Sequence, residues 1–134
     1  MNSPAAHRPA QGTALFCVFA SIALVCSCTT DALRLSSPKT VTGVELAAYG
    51  IHEECVRLFP GERIGYRFTA QPPVAFNVHF HESSVVIMPI DISSAVDEAG
   101  LFEADREQTY CLMWEAGAQG SRLDYRVQPL GLRQ

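Results

Sequence analysis

Lysine is almost missing from this chain of 134 residues: Lys39 is the only one, and ten Lys plus Arg stand against fourteen Asp plus Glu, a net charge of -4. Binding along a nucleic-acid backbone needs clustered positive charge, so nucleic acid is excluded as a partner class. Charged residues make up only 18% and hydrophobic ones 48%, which excludes disorder, a state of low hydrophobicity and high net charge. No apolar run reaches the roughly 20 residues that a bilayer-spanning helix needs. Internal repeats and low-complexity tracts are absent. No Gly-x-Ser-x-Gly elbow accompanies the serines, so a hydrolase of that design lacks its nucleophile. The acidic residues do not have EF-hand spacing. What remains has room for a single packed domain.

The first thirty residues differ from the rest. Residues 1–12 are polar with His7 and Arg8, residues 13–25 (TALFCVFASIALV) are apolar apart from Thr13 and Ser21, and no acidic residue precedes Asp31. A polar n-region before an apolar stretch of about 13 residues is the pattern of a secretory signal. Val25-Cys26-Ser27-Cys28 resembles the bacterial lipoprotein lipobox, in which an aliphatic, a variable and a small residue precede the cysteine that is acylated. Lipidation at Cys28 is the favoured reading, with ordinary cleavage near Ser27 or Cys28 as the alternative. Residues 29–39 (TTDALRLSSPK) are polar and suit a tether. Acyl chains on Cys28 would hold the protein at a membrane with no spanning helix. The expected organisation is a signal at 1–28, a tether at 29–40 and a folded domain at 41–134. The expected location is the bacterial cell envelope, facing the periplasm or the cell surface.

Of five cysteines, Cys17 and Cys26 leave with the signal and Cys28 takes lipid, which leaves Cys55 and Cys111 in the folded part. In an exported protein such a pair is expected to form a disulfide. Two buried thiols are the alternative.

From Val41 onward the apolar period is mostly two. Ile64, Tyr66 and Phe68 share one face and Arg63, Arg67 and Thr69 the other, after the turn signal Pro60-Gly61. Gln71-Pro72-Pro73 breaks the chain. Alternation then resumes, with Val74, Phe76, Val78 and Phe80 inward and Ala75, Asn77, His79 and His81 outward. Residues 63–69 and 74–81 therefore read as an antiparallel hairpin. Residues 85–92 (VVIMPIDI) read as an edge strand or a bulge at Pro89, which cannot donate to a ladder. Residues 93–100 (SSAVDEAG) read as a short helical turn ending at Gly100. Strands are expected at 41–49, 54–59, 101–104, 108–115 and 123–127, with a turn at Gly117-Ala118-Gln119-Gly120. About seven strands with short turns predict an all-β fold, an antiparallel β-sandwich or jelly roll.

Cys55 with Pro60-Gly61, Tyr66-Arg67-Phe68-Thr69-Ala70, Val74-Ala75-Phe76-Asn77-Val78-His79-Phe80-His81, Phe102-Glu103-Ala104 and Tyr110-Cys111-Leu112-Met113-Trp114 together resemble a GOLD domain. That is the small β-sandwich of eukaryotic cargo receptors and some lipid-transfer proteins. The resemblance is closer still to small exported bacterial proteins with a Phe-Asn-Ile/Val-His-Tyr/Phe-His strand. It implies a sandwich with Cys55 and Cys111 joined, acting in binding and assembly and carrying no catalytic residues. Cargo transport does not transfer, since the sequence has neither the coiled coil nor the C-terminal span of the cargo receptors.

The chemical candidates centre on His79 and His81, whose i, i+2 spacing on a strand puts both imidazoles on one face. With His52 brought alongside, they would make a site for Cu, Zn or Ni. The plainer reading is an exposed polar face in which Asn77, His79 and His81 hydrogen-bond to neighbouring strands or face water, and a third is a patch for a protein partner or a small ligand. Cys111-Leu112-Met113 with two histidines has the wrong order for blue copper. Tyr66, Phe68, Phe76, Phe80, Tyr110 and Trp114 read as core, with Trp114 as an alternative pocket wall. Ser83 and Ser84 lack an acid partner, and Asp97, Glu98, Glu103, Asp105 and Glu107 read as solvated surface. The expectation is a non-enzymatic envelope protein that binds an envelope partner or a small ligand and needs no cofactor. A periplasmic metal-binding module is the alternative.

Overall fold

A computed structural model describes residues 33–132. They form six strands: β1 (Lys39–Leu46), β2 (Ile51–Leu58), β3 (Glu62–Glu82), β4 (Val85–Glu103), β5 (Gln108–Ala116) and β6 (Ser121–Leu132). All pairings are antiparallel, in the order β1-β6-β3-β5-β2 with β4 along β3. The protein is all-β, as the period of two predicts. No helix among the described residues is long and apolar enough to cross a membrane.

Two local expectations are corrected. Residues 63–69 and 74–81 are one strand of 21 residues and not a hairpin. The first half of β3 pairs with β6 as far as Gln71↔Arg122, and the second half takes up β5 from Val74↔Ala116. Pro72 and Pro73 sit where one neighbour is exchanged for the other, so two successive residues without N–H groups leave no ladder position empty. Ser121 Oγ–H donates to the Pro72 carbonyl at this switch. Residues 93–100 are likewise strand and not a helical turn. The free edge of β3 offers more backbone hydrogen bonds than a two-turn helix could make for itself, and Thr69↔Asp97 and Val74↔Ala95 take them. With 63–69 joined to 74–81 and 85–92 joined to 101–104, the eight segments expected as strands become six. Pro89 lies at a register shift of β4 between the pairs Val78↔Ile90 and Phe80↔Ile87, on a strand that has β3 as its one neighbour among the described strands. It is both on an edge and at a bulge.

The sheet thus has two limbs, β4-β3-β6-β1 and β4-β3-β5-β2, which share the bent β3–β4 pair and pack face to face. Phe68 of one limb meets Phe76 and Trp114 of the other at ring-centroid distances of 4.9 and 5.9 Å, and Trp114 stacks on Tyr125 at 4.6 Å. Ile64, Phe76, Val78, Tyr110, Leu112, Trp114, Leu123 and Val127 have no exposed surface. The alternation read from the sequence selects these side chains, and Trp114 is core. Cys55 and Cys111 face each other across β2 and β5 and are joined by a disulfide. Ahead of β1, Arg34 donates to both carboxylate oxygens of Glu62 at 2.9 and 3.0 Å, and Leu35 packs on the core. The lead-in to the domain is fastened from residue 34 onward.

Candidate functional site

The register of β3, β5 and β2 puts two rows of side chains on the outer face of the second limb. One row is Asn77, Met113 and Glu53, and the next is His79, Cys111 and Cys55. The histidines therefore sit beside the disulfide. His79 and His81 share this face, their rings 5.3 Å apart and nearly perpendicular.

Their environments differ. His81 is exposed, while Asn77 and His79 are 6% and 5% exposed, so the face expected to be exposed is open at His81 and closed at the other two. Asn77 Oδ1 lies 2.8 Å from His79 Nδ1. An amide oxygen can only accept, so Nδ1–H donates and Nε2 carries the lone pair of the neutral ring. Glu53 Oε1 stands 3.6 Å from that Nε2. Burial holds the His79 imidazole below the ordinary histidine value; the Glu53 carboxylate pulls the other way, and His81 adds to the depression. His79 is a neutral, fixed member of the face, and His81 is the member a partner can reach.

His52 does not join them. It pairs with Trp114, which pairs with Phe76, so its side chain lies on the inner face. There His52 Nε2–H donates to the Tyr125 hydroxyl at 3.1 Å, Tyr125 donates to Glu54 Oε2 at 2.9 Å, and Lys39 Nζ reaches the same oxygen at 2.6 Å. Burial, then the hydrogen bond to Glu54, pushes the Tyr125 hydroxyl far above the ordinary tyrosine value. It remains a donor at every physiological pH. This network ties β2 to β6 and β1 across the mouth of the core. Its sequence signal was faint: His52 and Glu54 occupy the same parity as the buried Val56 and Leu58. Among the described residues no group of three or more His, Cys, Asp or Glu side chains is placed to hold a metal ion.

At the end of the β3–β4 hairpin, Ser83 and Ser84 form the two-residue turn, Ser83 with φ 56°. Neither hydrogen-bonds to a histidine. Beside the turn, Val85, Val86 and Met88 are 58%, 44% and 47% exposed, and Val86 stands opposite His81. Arg106 braces this tip through Glu82 at 3.5 Å and lies 5.5 Å from the centre of the Phe80 ring. Cys28 lies outside the described residues, as does the whole signal segment. No protein-family model matches the chain, and no curated protein matches it.

Proposed function

We propose that this is a non-enzymatic envelope protein, exported by the segment 1–28, anchored by lipid on Cys28 and built on a GOLD-like β-sandwich that binds a protein partner. The observation that carries the reading is the tip of the β3–β4 hairpin. Val86 and Met88 are exposed on the side of the accessible His81, with Val85 exposed at the turn, on a strand whose outer edge has no neighbour among the described strands. Contiguous exposed apolar groups mark interaction surfaces, and an open strand edge offers a partner backbone hydrogen bonds. The buried Asn77 and His79 stiffen the face from which His81 projects. The disulfide is compatible with export, because such bonds persist in oxidising compartments. The resemblance to GOLD domains supports a binding role.

A photo-crosslinking amino acid placed at Val86 of the full chain in its native envelope tests this. One discrete protein adduct is expected at position 86, lost when Met88→Glu is added, and none at the control position Glu45 on β1. Absence of an adduct at 86, or identical adducts at both positions, contradicts the reading.

A further inference from the structure

A second surface lies on the outer face of the other limb, away from the hairpin tip. Arg67 of β3 and Arg126 of β6 stand directly opposite each other. Like charges in that position repel, so the pair costs stability unless something neutralises it. Arg34, Lys39, Arg57, Arg106 and Arg122 each have a carboxylate within 4.0 Å. Arg126 has none among the described residues; it donates to Thr40 Oγ1 at 3.1 Å and Gln128 Oε1 at 3.3 Å. Arg67 is exposed, and its side chain makes no hydrogen bond or ion pair with any described residue.

Both guanidiniums line a groove of about 760 Å³ whose walls also carry Thr40, Thr69, Asp97 and Asp124. A second hollow of about 450 Å³ continues it past Arg67 and Arg126 towards Leu101 and Leu130. The two aspartates disfavour a polyanion and offer acceptors to hydroxyl groups. Asp124 Oδ1 already accepts the Gly43 N–H, and Asp97 is exposed. The aromatic rings at the groove, Phe68 and Tyr125, are 2% and 4% exposed, so no ring is presented to stack on a base.

We propose that this groove binds an acidic saccharide, a sugar bearing a phosphate or a carboxylate, with the oxyanion bridging Arg67 and Arg126 and the sugar hydroxyls on Asp97, Asp124 and the threonines. Forked guanidinium donors match oxyanions, and two together supply charge-assisted hydrogen bonds. The site is separate from the hairpin tip and stands whether or not that surface binds a protein.

Calorimetric titration of the full chain with glucose 1-phosphate, glucuronate, glucose and inorganic phosphate tests it. Saturable binding of at least one of the two sugar anions is expected, weakened about tenfold or more in Arg67→Ala, with glucose far weaker. Arg67→Ala also removes the repulsion with Arg126, so a melting temperature that is unchanged or raised separates a lost contact from a lost fold. No saturable binding of either sugar anion, or binding unchanged in Arg67→Ala, overturns the proposal. Inorganic phosphate binding as tightly as glucose 1-phosphate overturns the saccharide assignment.

Discussion

His79 shows how little of a residue's role lies in its type. Strand alternation places it on the outer face, and that is where it is, but facing away from the core did not mean facing water. Cross-strand neighbours and the Asn77 amide cover it, and those contacts depend on register across strands far apart in sequence. His52 was harder to place because one-residue parity on β2 decides its face, and the sequence brackets that strand loosely. The buried imidazole makes a pH prediction. Its folded-state pKa lies below the unfolded value of 6.5, so the unfolded chain takes up a proton that the folded chain refuses. Its contribution to stability is complete above that value and falls as pH drops through it. Urea midpoints at pH 7.5 and 5.5 should show a drop in the native chain that His79→Gln reduces; an equal drop in both would contradict it. A second prediction concerns Tyr125→Phe, which strands both His52 Nε2–H and one contact of Glu54. It should cost about 1–2 kcal/mol in the same assay.

At the scale of elements, alternation and turn chemistry locate strands but not their pairing: the one hairpin expected from the sequence, 63–69 with 74–81, is a single strand. Pro60-Gly61 and Gly117-Ala118-Gln119-Gly120 lie between strands as read. The two departures from local pattern share a cause, since a break in local pattern need not break the strand. Pro72-Pro73 interrupts hydrogen bonding but not direction, and residues 93–100 follow the edge of β3 against their local preference. The groove of Arg67 and Arg126 was illegible for a similar reason, because only the β3–β6 register brings the two side by side. The hairpin turn yields a prediction of its own. Ser83 holds φ 56°, a left-handed conformation costly for any residue with a Cβ. Ser83→Gly should stabilise the domain by about 1 kcal/mol, read as a higher urea midpoint; an unchanged or lower one would show the turn is unstrained.

For the whole molecule, the disulfide joins strands 56 residues apart in sequence. In a chain of this size such a staple carries a large share of net stability, about 4 kcal/mol in the chain-entropy model. The Cys55→Ala/Cys111→Ala double variant should lose that amount in chemical unfolding. The lead-in fastened at Arg34 leaves a short span back to Cys28, no more than about 20 Å when fully extended. The proposed lipid on Cys28 would therefore hold the domain close to the bilayer. The proposed anchor and the proposed envelope partner both depend on export. Intact-mass spectrometry of the full chain extracted from its native membranes tests it most directly. The expected species is a chain beginning at Cys28, carrying the mass of its acyl groups and two hydrogens lighter than its reduced form. A chain that retains residues 1–27 with Cys55 and Cys111 as free thiols would contradict it.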